Sequence, residues 1–401
     1  MALSIYKNRS YDNNDASHRK VSLAGGVVAL VDELLKKAVE AGASDVHFEP
    51  GASEMSVKYR LDGVLNDIEK LPAVISDNVI ARLKILGGLL TYRNDIPQEG
   101  RIEVNNGHSD VLDERLAVFP TIYGQRAVVR IFYQNTQLTD LEQLGLPQDI
   151  YSALKQISCG NQGVLLVTGP AGSGKNTTLT AMLRYIHKQF PGKSIVTLED
   201  PVEIRIDGVT QVQITPYGPM TFPTALRSLL RQDPQVLMIG EIRDAETARI
   251  VVEAGLTGHL LMSTMHSGTP LTAVLRLLEM GIEPYQVTSS VSAVLNQRLV
   301  RRLCTACRRK NSDGTFELAG CAECFGTGFK GRILIAEMIR LDSRLRKAIL
   351  TKPDGDELAK ILGDAGHKTM LEQGKVLVCE GLTTQQELQN VCGAVADELK
   401  Q

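Results

Sequence analysis

Apolar and polar positions follow one another in two different ways along this chain. In the first third the pattern is mixed. Val28, Leu30, Val31, Leu34, Leu35, Ala38 and Val39 keep helical spacing and predict a helix over 27–40. Residues 43–50 and 55–60 alternate as strands do, and Asp62-Gly63 supplies a hairpin turn behind them. A second helix is expected over 79–90, with strand-like segments at 116–119 and 127–133. That order predicts a compact α+β domain over residues 24–133. Residues 1–23, rich in Asn, Ser, Lys and Asp, read as a flexible arm, and 134–148, polar with a Gly145-Leu146-Pro147 break, as a linker. From residue 149 to the end, strand and helix patterns alternate, which predicts a mainly parallel sheet wrapped by helices. Its strands are expected at 164–167, 194–198, 236–239 and 259–265, and each runs into a polar cluster. In such sheets ligands bind outside the carboxyl ends of the strands.

The first of these strands leads into Gly169-Pro170-Ala171-Gly172-Ser173-Gly174-Lys175-Asn176-Thr177. Gly169 and Gly174-Lys175 fit the phosphate-binding pattern Gly-x-x-x-x-Gly-Lys, with a strand before it and a helical pattern (Leu179, Met182, Leu183, Ile186) behind. Three glycines let the backbone wrap an anion, and the helix N-terminus holds phosphate oxygens. Lys175 is placed to reach the β- and γ-phosphates. The position after the lysine is ordinarily Ser or Thr, whose hydroxyl binds Mg²⁺; here it is Asn176, whose amide oxygen has a longer reach. Thr177 is expected to point elsewhere on the helix. Nucleotide binding is therefore better supported than fast hydrolysis.

Composition narrows the classes. Hydrophobic content of 43% and charged content of 22% belong to a globular protein long enough, at 401 residues, for two or three domains. With 44 basic and 46 acidic residues, no broad basic field argues for nucleic acid. No apolar run approaches a membrane span and no secretory leader opens the sequence, so a cytoplasmic setting with reduced cysteines is expected.

The strand ends carry the remaining chemistry. Leu198-Glu199-Asp200-Pro201-Val202-Glu203 puts three acids beside the phosphate loop, which is tolerable when a cation is shared. Gly240-Glu241-Ile242-Arg243-Asp244 puts Glu241 one residue beyond the place where an Asp usually polarises water or holds Mg²⁺. His259 and His266 bracket the fourth strand and are read as lying at one sheet edge, with His266, on the carboxyl side, the expected γ-phosphate sensor. His47, His108, His187 and His367 are expected to be structural. Cys304-Thr305-Ala306-Cys307 and Cys321-Ala322-Glu323-Cys324 form two Cys-x-x-Cys pairs flanked by Arg301, Arg302, Arg308, Arg309 and Lys310. Two such pairs complete a closed tetrahedral zinc site, here within an insertion over 303–331. Cys159, Cys379 and Cys392 read as small buried apolar residues.

In this order the motifs resemble those of the type II secretion and type IV pilus assembly ATPases of the secretion ATPase superfamily. The resemblance runs from about residue 24 to the end and includes Ala43–Pro50, Tyr59–Val64, the acidic segment ending at Glu203, the Gly240-Glu241 pair and Thr257–His266. It implies a RecA-like ATPase domain behind a smaller N-terminal ring domain, and a homohexamer that uses ATP, Mg²⁺ and Zn²⁺. Nucleotide would lie between the two domains of a subunit and its neighbour. Glu203 and Glu241 would divide water activation and Mg²⁺ coordination, while Arg115 and Arg130 would reach the phosphates as the domains close. The tetracysteine motif points to assembly rather than retraction ATPases. The implied setting is the cytoplasmic face of a bacterial inner membrane, with peripheral association, an inner-membrane platform protein as partner and no direct nucleic-acid binding. Two departures are expected to matter. The family's extra N-terminal domain is missing or reduced to residues 1–23, and Asn176 stands where the family has Thr. The alternatives are a DNA-uptake or conjugative-transfer ATPase, for which the charge balance gives no support, and a nucleotide-binding scaffold ring with weak hydrolysis.

Overall fold

The computed structural model describes residues 26–102, 111–133, 140–215, 218, 220–312, 316–351 and 355–398. The expected arm over 1–23, His108 and residues 134–139 of the expected linker lie outside them. The chain divides into two compact units, Met1–Gln134 and Asn135–Gln401.

In the first unit the elements are α1 (Gly26–Glu40), β1 (Asp45–Pro50), β2 (Glu54–Leu61), β3 (Val64–Pro72), α2 (Ser76–Leu86), β4 (Gln98–Ile102), β5 (Val111–Thr121) and β6 (Gly124–Tyr133). One antiparallel sheet runs in the order β3-β2-β1-β6-β5-β4. The apolar stripe of α1 packs with α2 on the core side of this sheet, burying Leu30, Val31, Leu34, Phe48, Met55, Val57, Val79, Leu83 and Val129. Asp62 and Gly63 (φ 49° and 90°) make the two-residue turn that fixes the β2–β3 register at Leu61↔Val64. The helix expected over 79–90 ends at Leu86, because Gly87-Gly88 breaks it. Buried Lys84 then ties down the following loop by donating to Leu90 O and Arg93 O.

The second unit contains α3 (Gln148–Ser158), β7 (Gly163–Thr168), α4 (Lys175–Gln189), β8 (Ile195–Glu199), β9 (Thr210–Gln213), α5 (Phe222–Leu229), β10 (Val236–Ile239), α6 (Ala245–Leu256) and β11 (Leu260–Met265). It continues through α7 (Pro270–Glu279), α8 (Pro284–Ser290), β12 (Val291–Leu303), β13 (Arg309–Lys310), β14 (Phe316–Glu317) and β15 (Phe329–Arg340) to four helices, α9 (Ser343–Leu350), α10 (Gly355–Asp364), α11 (Met370–Cys379) and α12 (Gln385–Glu398). Its seven-stranded sheet runs β15-β12-β7-β11-β10-β8-β9 and is parallel apart from β15. Both faces of the central strands are apolar. Val164 and Leu166 of β7 point into one core, Leu165 and Val167 into the other, so the strand reads as an unbroken hydrophobic run. The expected linker is shorter at its C-terminal end: Leu141 and Leu144 form a helical turn buried in the same core as Leu165 and Val167.

The β12–β15 ladder was invisible in the sequence pattern. It carries the cysteine knuckle at its tip, and its tip-side half packs against α11 and α12 through Val300, Ile335, Met370 and Leu388. Among the described residues no helix is long and apolar enough to cross a membrane.

Candidate active site

The loop between β7 and α4 is held open from beneath. At Gly169 (φ 138°) a Cβ would lie 2.3 Å from Gln297 O, so only glycine permits the strand to turn there. Gln297 of β12 then fixes the loop from both sides. Its Nε2 donates to Ser173 O (2.9 Å) and its Oε1 accepts from Thr178 Oγ1 (2.9 Å). Asn296 donates to Thr168 Oγ1 (2.9 Å) and Ser267 O (3.1 Å), tying the end of β7 to the segment after β11. These two amides escaped the sequence reading. A polar Asn-Gln pair inside an otherwise apolar strand was the available signal.

Ala171, Gly172, Ser173, Gly174, Lys175, Asn176 and Thr177 line a cleft of about 550 Å³; Thr177, expected to point elsewhere, is therefore part of it. Lys175 Nζ donates to the carbonyls of Gly169 (2.9 Å) and Pro170 (3.0 Å). Burial draws its pKa down, against the carboxylate of Glu241, which raises it. The buried Ser173 Oγ has no hydrogen-bond partner, a polar atom consistent with a loop built around an anion.

Across the cleft stand the acids. Glu199 is buried and committed to the sheet, accepting from Thr197 Oγ1 (2.6 Å) and Gln211 Nε2 (3.0 Å). Glu203 is exposed and accepts from Asn176 Nδ2 (2.9 Å). At Gly240 a Cβ would come within 3.3 Å of Leu198 O, a tight approach, and the acid follows one residue later, at Glu241. Thr264 Oγ1 donates to Gly240 O (2.6 Å) and Ile242 N to Thr264 O (2.9 Å), locking the ends of β10 and β11 together. That lock brings His266 Nε2 within 2.9 Å of Glu241 Oε1, while Arg243 pairs with the other oxygen.

His259 does not belong to this edge. It precedes β11 at the opposite end of the strand, where its Nδ1 approaches Ala254 O (3.2 Å) at the close of α6. The reading of both histidines at one edge is thus corrected: the strand between them is six residues long and separates them.

In the first unit, cross-strand register aligns Arg60, Asp45, Arg130, Arg115 and Arg101 in one row across the sheet. Arg130 Nε donates to Asp45 Oδ1 (2.9 Å) and Arg115 Nε to Asp113 Oδ2 (3.2 Å), with Arg115 also over the Phe132 ring. Both arginine side chains stay more than half exposed. Burial would raise the pKa of Asp45, but hydrogen bonds from Arg130 and Ser44 and the charges of Arg130 and Arg60 hold it below its ordinary value.

The sulfur atoms of Cys304, Cys307, Cys321 and Cys324 all lie within 4.8 Å of one another. Sγ pairs are separated by 3.9 Å (Cys304–Cys321), 3.7 Å (Cys307–Cys324) and 3.7 Å (Cys321–Cys324). Tetrahedral Zn–S bonds of about 2.3 Å require edges of about 3.8 Å, so the donor set fits zinc. Backbone N–H groups of Cys321 and Gly328 each point at Cys324 Sγ (3.2 Å), as thiolate ligands need. Of the other cysteines, Cys392 is buried as expected, whereas Cys159 and Cys379 are exposed at helix ends, where no core exists to enclose them.

Residues 22–390 match the model of a family described as type II/IV secretion system protein. The type II secretion system protein HxcR of Pseudomonas aeruginosa is 39% identical over 365 residues, covering 91% of this chain and 77% of the relative. The type IV pilus assembly ATPase PilB of Thermus thermophilus is 38% identical over 376 residues, 89% of this chain; the match spans less than half of that relative (42%). Among solved structures, the Legionella pneumophila ATPase DotB aligns with a TM-score of 0.67 at 21% identity, covering 91% of this chain and 96% of its own. The pilus retraction motor PilT with bound ADP aligns with a TM-score of 0.60 at 24% identity, covering 90% and 96%. At these identities the structural likeness is one of fold.

Proposed function

The chain belongs to the type II/IV secretion system protein family, and from that premise we propose that it is a Mg²⁺-dependent ATPase whose turnover drives assembly of a type IV pilus or a type II secretion pseudopilus. The observation that carries this reading is the cleft itself: Lys175 and the glycine loop face Glu203, Glu241 and His266 across one cavity. Loop N–H groups and the N-terminus of α4 bind the phosphates. Lys175 leaves the Gly169 and Pro170 carbonyls for the β- and γ-phosphate oxygens. Asn176, Asp200 and Glu203 offer the oxygen donors that Mg²⁺ prefers, and the ion when bound neutralises developing phosphate charge. Glu241 takes the proton of the attacking water as oxygen bonds to the γ-phosphorus and the bond to the β-phosphate oxygen breaks, releasing ADP. His266 holds Glu241 in place and senses the γ-phosphate. Glu203 would hold Mg²⁺ and would share the orientation of the water.

Arg115 and Arg130 would supply charge to the transition state. The working form is a homohexamer at the cytoplasmic face of the inner membrane, pushing on a platform protein of the secretion or pilus machinery. The four cysteines support the assembly role over retraction. A second reading, a ring that binds nucleotide and hydrolyses it slowly, draws on the Asn176–Glu203 contact, which occupies both groups near the metal position. Phosphate release by the chain and by Glu241→Gln tests the proposal. Mg²⁺-dependent turnover that falls by about two orders of magnitude in the variant, with ATP still bound, supports it; equal rates refute it.

A further inference from the structure

In β12, Leu295, Gln297 and Leu299 face the nucleotide side of the sheet, while Val294, Asn296, Arg298 and Val300 face away from it. Val294 belongs to the core that α7 and α8 help to build, and Val300 to the cluster under α11 and α12. Asn296 and Arg298 therefore stand between two apolar clusters. Burying an amide and a guanidinium there costs free energy unless both bind something. What they bind is the backbone that follows β11.

Three successive carbonyls of that segment are each held by a different side chain. His266 O accepts from Arg276 Nη1 of α7 (2.9 Å), Ser267 O from Asn296 Nδ2 (3.1 Å) and Gly268 O from Arg298 Nη2 (3.4 Å). The side chain of His266 is 52% exposed, so this backbone, rather than packing, sets where it stands. Asn296 also donates to Thr168 Oγ1 at the root of the phosphate loop (2.9 Å). Arg298 reaches the other way: its Nη1 donates to Val391 O of α12 (2.9 Å), and its Nε is buried without a partner. One guanidinium thus joins α12 to the segment that carries His266.

We propose, resting on the ATPase reading, that Arg298 is a positioning residue for His266. By bracing Gly268 O against α12, it holds the histidine at Glu241 and makes α12 part of the frame that sets turnover. Its hydrogen bonds go to Gly268 and Val391 and not to the phosphate loop, so its loss slows the reaction without loosening the nucleotide. Asn296, tied to both places, loses both when it is removed.

Turnover and Mg²⁺-ATP affinity of the full chain, Arg298→Ala, His266→Ala and the double variant form the cycle that tests this. Arg298→Ala is expected to lower kcat about tenfold and to keep ATP affinity within about twofold. In the His266→Ala background the same substitution should cost nothing further, because it acts through the histidine. If Arg298→Ala does not fold, Arg298→Lys, which keeps one charged donor, decides: a loss of about threefold, absent without His266, is expected. Hydrogen exchange without nucleotide should quicken over residues 266–269 in the variant and stay unchanged in α4. Equal losses with and without His266, or unchanged exchange over 266–269, overturn the proposal. A natural chain that hydrolyses no ATP overturns the ATPase reading instead, and the exchange measurement still decides whether Arg298 braces the segment.

Discussion

Asn176 Nδ2 donates to Glu203 Oε2 across 2.9 Å, so an amide joins the phosphate-loop helix to the acidic segment at the position where a metal-binding hydroxyl is usual. The contact neutralises neither group and orients both. Asn176→Thr removes the donor and restores the hydroxyl, and is expected to raise Mg²⁺-dependent kcat several-fold, about 1 kcal/mol in barrier. Steady-state phosphate release across a Mg²⁺ titration measures it. An unchanged rate and unchanged Mg²⁺ dependence would show that Asn176 does not limit the chemistry.

Arg115→Ala and Arg130→Ala are expected to lower turnover by about two orders of magnitude or more, as loss of a transition-state arginine does. Arg115 is largely exposed, so its loss should change stability by about 1 kcal/mol or less. Arg130→Ala leaves buried Asp45 with Arg60 and Ser44 alone, and should cost more stability while still lowering turnover further than stability loss accounts for. Urea unfolding beside kinetics separates the cases: loss of folding with proportionate loss of activity would make the arginines structural.

Asp45 makes acid sensitivity predictable. Its pKa is lowered in the folded chain, so its contribution to stability is complete above its ordinary value of 3.8 and is lost as pH falls through the depressed one. Asp45→Asn should therefore be less stable than the natural chain at pH 7, and the gap should narrow as pH falls below 3.8. A gap independent of pH would contradict the Arg130–Asp45 account.

Zinc should be present at one equivalent per chain, and Cys321→Ser should lower both metal content and melting temperature. Elemental analysis of a zinc-replete preparation decides. Metal well below one equivalent, with no change in melting on chelation, would leave the four thiols without that role.

The sequence made the chemistry easier to see than the frame that holds it. Lys175 and the four cysteines sit in spaced motifs whose residue types have few other uses, Glu203 and Glu241 gain their meaning from the phosphate loop in the same sheet, and the buried strands β7 and β10 are apolar runs. By contrast, β3 is half-exposed and carries Asn66, Asp67, Glu69 and Lys70, so no apolar alternation marks it. Gln297, which secures the loop, is separated from Ser173 by 124 residues, and only the fold brings them together. The pattern favours His266, on the carboxyl side, but reads His259 at the same edge, because the length of the strand between them, which separates the two, is set only by the fold.

The central claim is that the loop around Lys175 grips a nucleoside triphosphate. Equilibrium binding of Mg²⁺-ATP to the purified chain and to Lys175→Ala tests it most directly. Saturable binding by the natural chain that weakens by about two orders of magnitude in the variant is predicted. Absence of saturable binding, or equal affinity in both proteins, would contradict it.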